Sequence, residues 1–125
     1  MNVYVDTENG AFAIDLETEE LEPVAPFEAE HAEVELPRVV AAGRAGSTVV
    51  AAVDANPPIL ISHDAGATWR ESGRGLPHAR AVAISSDVPD LIAYASRNRV
   101  HVSRDGGRFW TALAIELPEI RAIAF

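Results

Sequence analysis

The chain has no cysteine and no lysine. Without cysteine there is no disulfide framework and no thiolate metal site. Ten arginines carry all the side-chain positive charge, and the balance with the acids is −9. A surface of that sign repels phosphate backbones, so nucleic acid is not expected as a partner. Aromatics are scarce at 6%, while the 48% hydrophobic content is largely Ala and Val. Small and β-branched side chains suit tightly layered sheets better than a thick helical core. No apolar run approaches the ~18 residues of a membrane span. The opening Met1-Asn2-Val3-Tyr4-Val5-Asp6 lacks the charged and apolar regions of a secretory signal. These absences predict a cytoplasmic location, no membrane partner and, at 125 residues, one domain.

What is present is repetition. Ser62-His63-Asp64-Ala65-Gly66-Ala67-Thr68-Trp69 returns 41 residues later as Ser103-Arg104-Asp105-Gly106-Gly107-Arg108-Phe109-Trp110. A second marker, Leu36-Pro37, Leu76-Pro77 and Leu117-Pro118, recurs at spacings of 40 and 41. After each pair an arginine, Arg38, Arg80 or Arg121, opens a short alternating run to Ala42, Ile84 or Phe125. Period-2 alternation means strand, and the alanine face of these runs lets a neighbouring sheet approach closely. A repeat of about 40 residues built from short strands is the signature of a propeller blade. The runs are read as innermost strands, followed by Thr48–Val53 and Leu91–Ala95, then Pro58–Ser62 and Arg99–Ser103. Thr68–Glu71 and Phe109–Leu113 complete two blades, with turns at Arg44-Ala45-Gly46-Ser47 and Ser96-Arg97-Asn98 among others.

The N-terminal segment starts mid-repeat. Val3-Tyr4-Val5-Asp6 parallels Ala93-Tyr94-Ala95-Ser96, and a hairpin at Glu8-Asn9-Gly10 leads into Ala11–Ile14. The expected fold is all-β: one domain, residues 1–125, a partial propeller of three four-stranded antiparallel blades. Blade 1 takes residues 3–24 plus 119–125 of its own chain or a partner's, blade 2 takes 36–72 and blade 3 takes 76–114. Propellers typically close with four to eight blades. Completing blade 1 within one chain would require a crossing of the open ring, so the expected partner is a second copy. That homodimer would form six blades by exchange of the C-terminal strand. A filament built through open lateral faces is the other assembly considered.

The octapeptide resembles the Asp-box, or BNR repeat, of bacterial and viral sialidases, sortilin-type receptors and photosystem-assembly propellers. The first copy matches fully, and the second departs at Phe109, where Thr is usual. The resemblance implies a turn between third and fourth strands, opposite the face that binds substrate in the enzymes. Asp64 and Asp105 suit acceptance of backbone N–H bonds, as in Asx turns, while Gly66 and Gly107 suit a left-handed backbone. Trp69 and Trp110 are expected to wedge between blades, each burying roughly 150–250 Å². Ser62, Thr68 and Ser103 complete this structural set. A calcium site is disfavoured, because each turn offers one carboxylate where calcium takes six to eight oxygens. Sialidase activity does not follow. It needs an arginine triad and a Tyr-Glu pair, and only Tyr4 and Tyr94 are present.

Candidate ligand residues are the strand-opening Arg38, Arg80 and Arg121, expected near the channel mouth, and His78 in the loop Gly73–His78. Guanidinium groups suit carboxylate, sulfate or phosphate, so an anionic small molecule, a glycan or a protein is the expected ligand. The alternative is that each arginine pairs with a loop carboxylate such as Glu119 or Glu35 and pins its blade. The acidic stretch Glu17–Glu35 reads as a charge-protected edge, with Glu28, Glu30, His31 and Glu33 as a weak metal candidate. His101 is expected to be exposed on a third strand. No Ser-His-Asp order, HExxH motif or phosphate loop occurs, so neither cofactor nor metal is expected. The expectation is a non-enzymatic binding or scaffold module recognising ligands on its top-face loops, the alternative an Asp-box-type glycan-processing hydrolase.

Overall fold

A computed structural model describes all 125 residues and contains twelve strands and no helix. In chain order these are β1 (Asn2–Thr7), β2 (Gly10–Asp15), β3 (Leu21–Val24), β4 (Val39–Ala45), β5 (Thr48–Val53) and β6 (Ile59–Ser62). There follow β7 (Arg70–Ser72), β8 (Ala81–Ile84), β9 (Ile92–Ala95), β10 (Val100–Ser103), β11 (Thr111–Ala112) and β12 (Ile120–Ala124). They form three four-stranded antiparallel sheets: β4-β5-β6-β7, β8-β9-β10-β11 and β12-β1-β2-β3. The all-β partial propeller is therefore present. With no helix at all, none is long and apolar enough to cross a membrane.

Blade 3 stands in the middle. Its inner strand β8 packs on β4 and β5 of blade 2 on one side and on β12 of blade 1 on the other. Alternation divides its side chains between two cores. Val82, Ile92 and Tyr94 join Val50, Ala52, Ile59 and Ile61 of blade 2. Ala81, Ala83, Ala93, Ala95, Val100 and Val102 join Val3, Val5, Ile14, Ile120 and Ile123 of blade 1. The alanine face expected of the inner strands is what lets β12 approach β8. Every residue of β9 and β10 is buried, as required of a sheet covered on both faces.

Within this single chain the C-terminal strand completes blade 1. β12 pairs with β1 of its own chain, Tyr4 opposite Ala124 and Val5 opposite Ile123. The crossing is made instead by residues 25–38. This strap packs Phe27 edge-on against Tyr4, ring centroids 6.2 Å apart, on the outward face of blade 1. It then passes the inner strands and donates Ala32 N–H to the Ala42 carbonyl of β4 at 3.0 Å. From there Val34 and Leu36 are half-buried and Glu33 and Glu35 exposed, so the acids face solvent along an edge.

Strand pairing also corrects the repeat alignment. Val82 lies opposite Tyr94, and its counterpart Ile123 lies opposite Val5, so Val5 rather than Tyr4 corresponds to Tyr94. Buried Thr7 and Ser96 then coincide, each giving its hydroxyl to the carbonyl three residues on, Gly10 at 2.8 Å and Arg99 at 3.1 Å. In blade 2, Ala42 opposite Ala51 corresponds to Val82, which places Val40, not Arg38, at the position of Arg80. Leu-Pro spacing agrees, since Arg80 and Arg121 follow their Leu by four residues and Arg38 by two. β4 also runs through Arg44 and Ala45, leaving only Gly46 and Ser47 as the turn.

His101 is buried, contrary to expectation. Its ring stacks on Tyr94 at 4.5 Å with an interplanar angle of 8°, at the seam between blades 2 and 3. Nε2 lies 3.3 Å from Ser96 Oγ, and Nδ1 has no partner. Burial first, and the Arg99 charge second, lower its pKa to about 4 from the ordinary 6.5. An unfolded chain therefore takes this proton before the folded one. The stabilisation from neutral His101 is complete above pH 6.5 and is lost as pH falls through 4. Phe12 occupies the matching place in blade 1, opposite Val5. In denaturant titrations across this window, His101→Phe should decline less in stability with acid than the unmodified chain; equal slopes would contradict the assignment.

Candidate functional site

Of the three strand-opening arginines, only Arg80 is held by a carboxylate, one that Arg97 also approaches. Arg80 Nη1 bonds Glu119 Oε1 at 2.6 Å, and Arg97 Nε lies 3.7 Å from the same oxygen. The Arg80 hydrogen bond and charge, followed by the charges of Arg97 and Arg121, hold Glu119 below the usual carboxylate range. Backbone bonds from Glu8 N–H to the Glu119 carbonyl and from Ile120 N–H to the Arg97 carbonyl tie the same loops. Arg80 is thus consumed in pinning the top of the seam between blades 3 and 1. Arg38 is elsewhere. It sits in a turn with φ 63°, and its carbonyl accepts Asp54 N–H at 2.9 Å. His78 reaches the same loop, with Nδ1 3.4 Å from Asp54 Oδ1 in an exposed pair. The four candidate ligand residues therefore divide between two loop clusters.

The octapeptides are closed turns. Asp64 Oδ1 accepts the Ser62 hydroxyl at 2.7 Å and Thr68 N–H at 2.9 Å, and Oδ2 accepts the Thr68 hydroxyl at 2.6 Å. Ser62 Oγ in turn accepts Gly66 N–H at 2.8 Å. The Thr68 and Ser62 bonds lower the Asp64 pKa to about 2. The second copy repeats the plan: Asp105 accepts from Ser103, Arg108 and Phe109, and Ser103 accepts Gly107 N–H. Asp105 lacks the side-chain bond that Thr68 provides, since Phe109 stands there. The acids are occupied in holding their own loops. No group of three His, Asp or Glu side chains is arranged to hold a metal; Glu28, Glu30 and His31 of the strap instead line a crevice beside Arg44, Ser86 and Phe125.

The tryptophans differ. Each stands just before its fourth strand. Trp110 wedges into the seam between blades 2 and 3, edge-on to Tyr94 at 5.2 Å, and donates its indole N–H to Ser72 Oγ at 2.8 Å. Ser72 gives its own hydroxyl to the Gly107 carbonyl. Trp69 has no such partner. Alternation places it with Glu71 and Leu60 on the face of blade 2 turned away from blade 3, and its indole N–H makes no bond within the chain.

The same seam opens outward as a groove of about 540 Å³ that sequence reasoning did not identify. Arg70, Arg74 and Leu76 form one bank, and Arg108, Phe109 and Trp110 the other. The signal was the departure at Phe109, whose side chain lies 78% exposed.

No family model matches this chain, and no curated protein does. A GH74 enzyme from Niastella koreensis is similar in fold, with a TM-score of 0.53 and 22% identity. The likeness shows the fold alone. It extends over 93% of this chain but only 18% of that protein, so this chain spans less than a fifth of its length.

The two box glycines make a controlled comparison. Both have positive φ, 92° at Gly66 and 89° at Gly107. A Cβ at Gly66 would meet only Trp69 Cζ2 at 3.6 Å, whereas one at Gly107 would overlap Ile61 Cδ1. Alanine at either position should cost about 1–2 kcal/mol in backbone strain, and Gly107→Ala about 1–3 kcal/mol more in overpacking. Equal unfolding free energies for the two variants would contradict this seam geometry.

Proposed function

We propose that this chain is a non-enzymatic binding or scaffold module, an Asp-box-type partial propeller that pairs with a second copy of itself. The observation that carries this reading is Trp69. Its counterpart Trp110 is satisfied by the preceding blade through Tyr94 and Ser72, whereas no sheet packs where Trp69 faces. On that side lie buried Ala42 and Ala51, half-buried Leu60 and half-buried Trp69, with Val40 49% exposed at the adjoining irregularity of β4. An apolar sheet face with a tryptophan at its margin favours association. The opposite end of the arc is different, because the strap sets Phe27 on Tyr4 there. Two copies therefore meet most simply by apposing their blade 2 faces about a two-fold axis. Closing a six-bladed ring would require the strap to leave Tyr4.

A second reading, a glycan-processing hydrolase, draws on the likeness to a GH74 enzyme. A general acid needs a raised pKa. The carboxylates displaced from their ordinary values, Asp15, Asp64, Asp105 and Glu119, are all displaced downward. That favours the binding module. Release of reducing sugar from a polysaccharide by the purified chain would favour the hydrolase.

Solution mass should show a dimer for the unmodified chain and a folded monomer for Trp69→Ser. Trp110→Ala should instead cost about 3 kcal/mol of stability. Because the chain has no cysteine, a single Leu60→Cys substitution gives a clean cross-linking site. Face-to-face pairing predicts that this variant forms a disulfide-linked dimer on mild oxidation; a monomeric unmodified chain would refute the reading.

A further inference from the structure

Both banks of the groove between blades 2 and 3 belong to one chain. We propose that this groove binds an extended acidic peptide of a partner protein, laid along the free edge of β7. Three observations converge there.

The first is charge. In a chain of net charge −9, three of ten arginines line this one groove. Arg70 gives one hydrogen bond to the Gly106 carbonyl at 3.0 Å, and Arg74 and Arg108 are in no ion pair. Glu71 is the single acid on the lining. The other arginine cluster, at Glu119, already holds its carboxylate. This patch does not, and planar guanidinium forks bind carboxylates bidentately.

The second is Phe109. The first box places Thr68 here, and its hydroxyl closes on Asp64 at 2.6 Å. The second box gives up that bond and sets a 78% exposed ring at the lip of the groove. The turn loses a hydrogen bond and solvent meets an aromatic side chain, so the substitution works against the free chain. Together with Leu76, the ring offers an apolar seat beside the arginines.

The third is the edge itself. β7 pairs only with β6, so its outer backbone groups have no strand partner. An extended peptide satisfies such an edge through main-chain bonds while alternate side chains address the lining. This favours a peptide over an acidic sugar, which has no main-chain donors and acceptors at strand spacing. The floor is preformed, because Trp110, Ser72 and the Gly107 carbonyl hold one another across the seam.

The test uses the whole chain and three probes in calorimetry: an octapeptide alternating Glu and Leu, the same peptide with Gln for Glu, and an oligogalacturonate of matched charge. The Glu peptide should bind at least about tenfold more tightly than the Gln peptide and the oligogalacturonate, and salt should weaken it. Arg108→Ala should weaken binding about tenfold. Phe109→Thr restores the first box's side chain, so it should fold at least as stably as the unmodified chain while also losing affinity. Equal binding of Glu and Gln peptides, unchanged affinity in Phe109→Thr and Arg108→Ala, or tighter binding of the oligogalacturonate would overturn the proposal. Monomers and dimers should bind alike, so these results are read independently of the oligomeric state.

Discussion

Each blade is a sheet with two apolar faces, and the requirement to cover both governs the rest of the molecule. A sheet satisfies its backbone internally but leaves its side-chain surfaces to neighbours. Blade 3 meets the requirement on both sides, which is why β9 and β10 are buried at every residue. Its side chains are sorted accordingly. Ala81, Ala83, Ala93 and Ala95 face blade 1, where close approach is needed, and Tyr94, His101 and Trp110 fill the wider seam with blade 2.

The end blades solve the same problem differently. Blade 1 is assembled from the two ends of the chain and is then overlaid by its own strap, so Phe27 stands on Tyr4 where a further blade would stack. Ala11 and Ala13, opposite Asp6 and Tyr4 on that face, are 6% and 4% exposed. Blade 2 has no strap across its outward face; Ala42 and Ala51 there are 1% and 0% exposed, and the apolar groups that reach solvent are Val40 and, in part, Leu60 and Trp69. The two ends of the arc are therefore built differently. Acids along the strap reinforce this, because Glu33 and Glu35 point charge outward beside β4 and discourage pairing at the inner edge.

Much of this was legible because the repeats carry it. The two octapeptides and the alternating inner strands set the blade count, the strand order and the box turns. They did so because a turn that consumes its own Asp, Ser and Gly is a local structure, independent of neighbours. The path between blades was not legible. Residues 25–35, ahead of the recurring Leu36-Pro37, have no repeat counterpart and form one backbone bond to β4, so nothing in their pattern announced that they would carry the crossing. The arginine series also differs from its apparent form, because Arg38 follows its Leu by two residues where Arg80 and Arg121 follow theirs by four, so Val40 takes the matching place. His101 was misjudged for a related reason, since its burial depends on the ring of Tyr94 from the adjacent strand and on a neighbouring blade.

The groove illustrates what repetition adds to the reading of a site. Within one chain, two copies of a turn serve the same structural purpose under the same solvent and at the same concentration. A difference between them that lowers the stability of one copy cannot be ascribed to the needs of the turn. Thr68 completes its box, while Phe109 leaves its own incomplete and exposes a ring beside Arg108. The neighbouring residues Ser103, Asp105 and Gly107 keep the bonds of the first copy, so the turn itself is under no relaxed constraint. Among the shared motif positions the departure is confined to Phe109, whose side chain reaches the groove. Local cost at that position, set against an intact internal reference, is the physical ground for placing recognition at the seam rather than at the channel mouth, where Glu119 already answers the arginines.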